Sequence, residues 1–254
     1  MYLFNGNCST KINILKEIMK KILIVGISLI TLIACNKNEE GIDLHLTGNI
    51  EGLSLGKIYI QKIQDNSFIV LDSIEIKGDS NFEVTIPLEE PEMLFLTLDR
   101  GQSNSIDNSL QFFAEKGKMN ITSKLKTFYT AAKITGSKNQ ELFEEFNSFN
   151  SKFNDENLIL IEKRIKNQMT KNVSNADSIN TAFDKLKIRK YRYTANFAST
   201  HGEYEIAPYL AVSEIADINI AYLDTIQKHL TPNVAKSKYG KMLDEHIKTR
   251  KASE

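Results

Sequence analysis

GDSNFEVTIP, residues 78–87, shows the pattern that governs the first half of this chain. Its first four residues are of types that favour tight turns. Phe82, Val84 and Ile86 then recur at every second position, which places them on one face of a β-strand. Pro87 ends the run because it has no amide hydrogen to donate to a neighbouring strand. The segment therefore predicts a half-buried strand entered through a turn.

The same alternation extends in both directions, from Asp43 to about Gly136, as short apolar runs separated by turn residues. Many short strands joined by short loops are typical of an antiparallel sandwich or a strongly twisted sheet. The other predicted strands are Leu44 to Ile50, Lys57 to Ile60, Phe68 to Ile76, Met93 to Leu98, Leu110 to Ala114, Met119 to Ser123 and Tyr129 to Ile134.

After Gly136 the apolar period becomes that of helices, and Ser137 is a predicted N-cap. The first helix carries a phenylalanine-rich stripe, with a kink expected near Asn154-Asp155. A second helix should end at His201-Gly202. Three more are predicted at Ala207 to Ala216, Ile218 to Leu230 and Lys238 to Thr249, with a break at Thr231-Pro232. We predict an α+β protein: an antiparallel β-sandwich-like domain over residues 42–136, then an α-helical domain over residues 137–254.

The segment before the first strand is typical of a bacterial lipoprotein signal. Lys20-Lys21 precedes an apolar run from Ile22 to Ile33, which is near the ~7–15 residues of a signal-peptide core and short of the ~20 of a spanning helix. Ala34 is the small residue expected before a cleavage site, and the Cys35 thiol could accept a diacylglyceryl group. We predict a leader over residues 1–34, cleavage between Ala34 and Cys35, lipidation of Cys35, and a polar tether over residues 35–41.

Two alternatives stay open for this segment. It could be a short membrane anchor with an incidental cysteine, and Met19 could be the true start in place of Met1, because Met19-Lys20-Lys21 is a conventional opening. Cys8 would leave with the leader and Cys35 would be consumed by acylation, so the mature chain should have neither a disulfide nor a free thiol.

Charge excludes one class of partner. Residues 1–34 contain four lysines and one glutamate, so the chain from Cys35 onward keeps 28 of 32 basic and 31 of 32 acidic residues. Nucleic-acid binding depends on clustered Lys and Arg that neutralise phosphates. We therefore expect no nucleic-acid partner, and attachment to a membrane through the lipid on Cys35 instead.

No residue pattern predicts catalysis or metal binding. His45, His201, His229 and His246 are far apart and lack zinc-like spacing. Ser54-Leu55-Gly56-Lys57 matches the Ser-x-x-Lys spelling of serine acyl enzymes, but it falls in a predicted turn instead of a helix start. Glu141, Glu144 and Glu145 suit the first turns of a helix. We predict no catalytic residue, no metal and no cofactor.

A basic cluster lies on the second predicted helix. Lys187, Arg189, Lys190 and Arg192 could form a solvated helix face, or they could contact lipid headgroups or an acidic partner.

An ordered series of short motifs carries a family resemblance. The motifs are LTGNI at 46–50, GKIYI at 56–60, Leu71-Asp72-Ser73, Phe82 after a turn, and ITGSKN at 134–139. Together they resemble domain of unknown function 4369 over roughly residues 42–140. That resemblance implies a β-rich module at the front of lipoproteins from Bacteroidetes-type bacteria, often followed by a helical segment and a thioredoxin-like, thiol:disulfide interchange domain.

The sequence departs from that family pattern in two places. Asn81 stands where a glycine is frequent before the phenylalanine, and no Cys-x-x-Cys occurs, although thiol–disulfide exchange requires an attacking thiolate. No catalytic residue is carried over from the family.

These observations predict a lipid-anchored protein of the cell envelope. It would be a non-enzymatic binding or accessory module with an envelope protein or other ligand as partner. It would lie at the periplasmic face or cell surface of the outer membrane. The alternative is an accessory fragment of a thiol:disulfide oxidoreductase whose thioredoxin-like domain is missing or separately encoded. A hydrolase with an unrecognised site is a third possibility.

Overall fold

The computed structural model describes residues 43–99, 106–170 and 175–253. The predicted leader over 1–34, Ala34, Cys35 and the tether over 35–41 lie outside these residues. The division into domains at residue 136 stays a prediction.

The described residues have an α+β arrangement, with a sheet-rich region followed by a helical region, as predicted. The strands are β1 (Asp43–Glu51), β2 (Leu55–Gln64), β3 (Ser67–Lys77), β4 (Asn81–Pro87), β5 (Glu92–Asp99), β6 (Ser109–Ala114), β7 (Gly117–Lys124) and β8 (Lys133–Thr135). The helices are α1 (Lys138–Met169), α2 (Ala176–Thr200), α3 (Ile206–Glu214), α4 (Ile220–His229), α5 (Pro232–Lys236) and α6 (Lys238–Ser253).

The described strands form two four-stranded sheets, ordered β4-β1-β7-β8 and β3-β2-β5-β6. All neighbouring strands are antiparallel except β1 and β7, which are parallel from Leu44 opposite Gly117 to Glu51 opposite Lys124. Period-two alternation is the same in parallel and antiparallel strands, so the sequence could not reveal this pair. The fold is therefore mostly, and not wholly, antiparallel.

The core of the sheet-rich region lies between the two sheets and consists of the alternating residues seen in the sequence. Leu44 and Leu46 of β1 and Ile58 and Ile60 of β2 are fully buried there. Phe82, Val84 and Ile86 face the same core from β4, as the opening segment predicted. Two sheets that bury one face each against the other form a sandwich.

One sequence expectation is corrected. The predicted strand over Tyr129 to Ile134 is short, because Leu125–Thr127 form a 3₁₀ turn, the following residues are turn residues, and only Lys133–Thr135 pair with β7. The helix α1 continues without a break through Asn154 and Asp155, and the kink expected there stays a prediction. A run of 32 residues has enough neighbouring hydrogen bonds to accommodate two poor helix formers.

The end of the second predicted helix and the break at Thr231-Pro232 are confirmed. The helix α2 ends at Thr200, directly before His201-Gly202, and Pro232 opens the short helix α5 at a position where its missing amide hydrogen costs nothing. A Cβ on Gly202 would lie 2.1 Å from the carbonyl oxygen of His229, so this position requires glycine for close packing against the end of α4.

The helical region packs on the outer face of β5 and β6 through a shared apolar cluster, which we call the junction cluster. On the sheet side it contains Met93 and Phe113, which point away from the sandwich core. The helices contribute Leu142, Phe146, Phe197, Ile206, Leu210 and Tyr239. The described residues of the sheet-rich and helical regions contact one another closely enough to form one compact unit.

Candidate functional site

The two residues predicted to form the lipidation and cleavage site, Ala34 and Cys35, lie outside the described residues. Their assignment therefore stays a prediction from the sequence. In the described ranges no helix is both long enough and apolar enough to cross a bilayer.

The four histidines are held apart, each with its own local partner. Nδ1 of His201 and of His229 each lies 2.8 Å from a backbone carbonyl four residues earlier, and Nε2 of His246 lies 2.8 Å from the carbonyl of Ala216. A carbonyl can only accept, so each of these nitrogens carries the proton and donates. His45 is exposed on β1, with Nδ1 3.0 Å from Oγ1 of Thr85. Between residues 43 and 253, outside the two gaps, no three His, Asp or Glu side chains converge as a metal site.

The basic cluster on α2 is largely neutralised by acidic partners. The Nζ of Lys187 lies 2.8 Å from Oδ2 of Asp217, and that hydrogen bond lowers the pKa of Asp217 and raises the pKa of Lys187. Arg189 pairs with Glu156 at 2.5 Å. The pair between Lys190 and Glu214, at 3.0 Å, is mostly shielded from water. These contacts connect α2 to neighbouring elements and leave little free charge for headgroups.

The remaining sequence candidates have structural duties. Ser54 lies in the turn between β1 and β2, where its carbonyl accepts the Gly78 amide hydrogen at 2.8 Å. Glu141 pairs with Lys138 at 2.7 Å, and Glu144 accepts a hydrogen bond from the side chain of Gln140. The predicted N-cap is confirmed, because Oγ of Ser137 accepts the Gln140 amide hydrogen at 2.9 Å.

A polar connection between the sheets and helices centres on the buried side chain of Asn139. Its Nδ2 donates to Glu115 at 2.5 Å and to Glu205 at 2.9 Å, while its Oδ1 accepts the Ile206 amide hydrogen at 2.7 Å. The Glu115 carboxylate also accepts the amide hydrogens of Lys138 and Asn139. One carboxylate thus caps the positive end of α1, and one amide joins it to the start of α3.

Two tyrosines, Tyr239 buried and Tyr209 partly buried, make polar contacts at the junction cluster. Tyr239 accepts the Met93 amide hydrogen at 2.9 Å, and Tyr209 accepts a hydrogen bond from the side chain of Gln111 at 2.8 Å. Their rings meet edge to face, with centroids 5.0 Å apart. Burial raises the pKa of both phenols, so both stay neutral at ordinary pH. They are suited to positioning the helices on β5 and β6 and poorly suited to acid–base chemistry.

The most distinctive exposed feature is an apolar surface at the tip of the β2–β3 hairpin. Ile63, Phe68, Ile69 and Val70 are each about half exposed, and we call them the hairpin surface. The chain reverses through Asp65 and Asn66, both at positive φ, as a two-residue type I′ turn requires. The Phe68 ring packs edge to face on Phe95, with centroids 5.1 Å apart.

Ile63 pairs with Phe68 and lies on the same face of the hairpin as Phe68 and Val70, while Ile69 lies on the opposite face. Exposed apolar side chains grouped at one hairpin tip are typical of a binding surface. The strand β3 lies at the edge of its sheet, with β2 on one side. Long edge strands with exposed apolar residues pair readily with other chains unless something covers them. The hairpin surface is therefore the best candidate for an interaction site in the described residues.

The sheet-rich region matches a known protein family. Residues 44–143 match the model of Domain of unknown function (DUF4369). The match spans the sandwich and the start of α1. No curated protein and no solved structure matches the chain.

The residues of the junction and of the hairpin surface were not predicted as a site from the sequence. Asn139 was quoted only as part of a family motif, and its burial depends on partners 24 and 66 residues away. The hairpin did have a local signal, since Asp65-Asn66 between two β-branched runs favours a turn.

Proposed function

We propose that this protein is a lipid-anchored, non-enzymatic binding or accessory protein of the cell envelope. The observation that carries the proposal is the segment from Lys20 to Cys35, in which two cations, a short apolar core and Ala34 precede a cysteine. The lipid on Cys35 holds the sheet-rich region and the helical region at a membrane surface.

The contacts of the described residues favour binding over catalysis. The carboxylates of Glu115 and Glu205 hold helix starts in place, and burial raises the pKa of both junction tyrosines, so they are neutral at ordinary pH. These carboxylates and phenols contribute to holding the helices on the sheet. The apolar side chains of the hairpin surface, in contrast, are each about half exposed.

Metabolic labelling tests the anchor. The full chain is expressed with labelled palmitate in a bacterium that processes lipoproteins, beside Cys35→Ala and Cys8→Ala variants. We expect label in the unchanged protein and in the Cys8→Ala variant, because Cys8 is removed with the leader, and none in the Cys35→Ala variant. Label that persists in the Cys35→Ala variant contradicts the proposal.

Protease treatment of intact cells tests the location. Lys37-Asn38-Glu39-Glu40 is similar to the lysine-plus-acidic signals that send some lipoproteins to the cell exterior. We propose exposure on the cell surface, for which intact cells lose the protein on protease treatment while a periplasmic control survives. Full protection until the cells are lysed assigns the protein to the periplasmic face instead.

A further inference from the structure

The hairpin surface lies at the same end of the sandwich as Asp43, the first described residue. Asp43 pairs with Pro87, and Leu44 pairs with Gly117. A short link joins Pro87 to Glu92, and another joins Ala114 to Gly117. Glu92 and Ala114 pair with each other in the second sheet. These pairs place the start of β1 beside the start of β5.

The pairing of β2 with β5 in the second sheet shows that the β2–β3 turn lies at this same end. Gln61 of β2 pairs with Phe95 of β5, and β2 then runs three residues further, past that pair, toward the turn. The tip of the hairpin therefore lies at the end of the sandwich where the chain enters β1. The turn at Gly52 to Ser54 lies at the opposite end, together with the start of β2 at Leu55.

Chain length limits how far this end can lie from an anchored Cys35. Seven residues lie between Cys35 and Asp43, so eight Cα–Cα steps join them. Fully extended, they span at most about 28 Å, which is less than the thickness of a bilayer core. An anchor at Cys35 thus keeps the hairpin end of the sandwich close to the lipid surface.

Several acidic side chains at this end are already engaged by protein groups. Glu90 accepts the Lys238 amide hydrogen at 2.7 Å, and Glu92 pairs with the Lys238 side chain at 2.5 Å. Glu115 caps α1 as described above. These contacts reduce the repulsion that free carboxylates would exert against a headgroup layer.

We infer that the hairpin surface enters the headgroup and acyl boundary of the same bilayer that holds the lipid on Cys35. The inference rests on the proposed function. Apolar side chains stabilise such contact by leaving water. The hairpin is a second point of attachment that sets the orientation of the protein on the membrane.

Tryptophan fluorescence tests this placement directly, because the chain contains no tryptophan. Phe68→Trp places the only fluorophore of its kind in the hairpin surface. Leu55→Trp, at a position 74% exposed at the opposite end of β2, is the matched control. Each acylated full-length variant is purified, reconstituted in phosphatidylcholine vesicles, and compared in vesicles with brominated and ordinary acyl chains.

Brominated chains should quench the fluorescence of the Phe68→Trp variant by about twofold or more, since interfacial side chains reach roughly 5–10 Å into the bilayer. The fluorescence of the Leu55→Trp variant should stay nearly unchanged. Circular dichroism and the urea midpoint confirm that both variants fold. The mass of the amino-terminal peptide reports acylation of Cys35 separately.

The outcomes distinguish this inference from the proposed function. If Cys35 carries lipid but the Phe68→Trp variant is quenched no more than the Leu55→Trp variant, the hairpin does not contact the bilayer, while the proposed anchoring stands. If the acylated Phe68→Trp variant cross-links as a dimer through β3 and its fluorescence is unquenched, a second copy covers the surface and the inference is wrong. An unmodified Cys35 overturns the anchoring and the inference together.

Discussion

At the scale of single residues, the motifs that resemble DUF4369 have identifiable physical duties. In LTGNI, Gly48 lies where a Cβ would come within 2.3 Å of the carbonyl oxygen of Ile121 and of the Phe82 ring. In ITGSKN, Gly136 has φ near +99°, and a Cβ there would lie 2.2 Å from the carbonyl oxygen of Lys118. Both glycines permit close backbone approach where a side chain does not fit.

The amide of Asn139 should be among the most sensitive positions in the chain. Asn139→Ala removes three hydrogen bonds and leaves Glu115, Glu205 and the Ile206 amide with fewer partners in a buried setting. We expect the free energy of unfolding to fall by about 3 kcal/mol, measured by urea denaturation. The control is Asn196→Ala on the exposed face of α2, which should change it by less than about 0.5 kcal/mol. Equal effects of both substitutions contradict the role assigned to Asn139.

At the scale of elements, α1 and α2 are long helices joined by aromatic stacking and ion pairs. Tyr193 of α2 lies against Phe146, Phe149 and Phe153 of α1, with ring centroids 5.4 to 5.9 Å apart. The phenylalanine stripe seen in the sequence is therefore mostly packed, although Phe149 is about half exposed. One polar side chain interrupts the pattern, because Asn150 is buried on α1 and its Oδ1 has no hydrogen-bond partner in the described residues.

Replacing that amide should stabilise the helix pair. Asn150→Leu has a similar branched shape and removes a buried acceptor, and leucine favours helices more than asparagine. We expect the free energy of unfolding to rise by about 1 kcal/mol, read from the urea midpoint. Asn139→Leu is the contrasting variant, because that asparagine has partners for its amide, and it should destabilise. A loss of stability in the Asn150→Leu variant means that the amide is satisfied in solution.

At the scale of the whole molecule, the helices are attached to the outer face of the β3-β2-β5-β6 sheet by the junction cluster and a few buried hydrogen bonds. Tyr239 of α6 and Gln140 of α1 accept backbone amide hydrogens of β5 and β6, at 2.9 and 2.7 Å. These two strand amides thus form hydrogen bonds with side chains of the helical region. The junction should therefore respond to the protonation state of Tyr239.

Alkaline pH should weaken this attachment. Burial raises the pKa of Tyr239 in the folded protein, so above pH ~10 the unfolded chain loses a proton that the folded protein keeps. Stability is full below the unfolded pKa and falls as pH rises above it, by up to about 1.4 kcal/mol per pH unit for one group. We expect urea midpoints to fall above pH ~10, and less steeply in Tyr239→Phe.

Met93→Leu serves as the control for that experiment, since it alters the same junction without changing a titratable group. Its midpoint should fall with the wild-type slope. A Tyr239→Phe variant with an unchanged slope indicates that this phenol ionises equally in the folded and unfolded chains. Part of the slope persists in any case, because burial also raises the pKa of Tyr209.

Short sequence patterns correctly predicted those strands and helix ends that depend on residues close together in the chain. Alternation at Phe82, Val84 and Ile86 predicted a strand that buries those side chains, and Ser137 was correctly identified as the N-cap of α1. The strand predicted at Tyr129 to Ile134 was too long, because a β-branched run does not show where a partner strand stops. Apolar periodicity likewise predicted the phenylalanine stripe without showing which part faces solvent.

By itself, the sequence determined the order of β and α regions and the resemblance to the DUF4369 family that the family model matches, because each depends on residues close together in the chain. It also predicts lipid attachment at Cys35, from residues that are likewise adjacent. Tertiary structure alone decided the parallel pairing of β1 with β7, the burial of Asn139 between two glutamates, and the position of the hairpin surface at the Asp43 end. Those features depend on contacts between residues tens of positions apart, and periodicity within a short window carries no information about such partners.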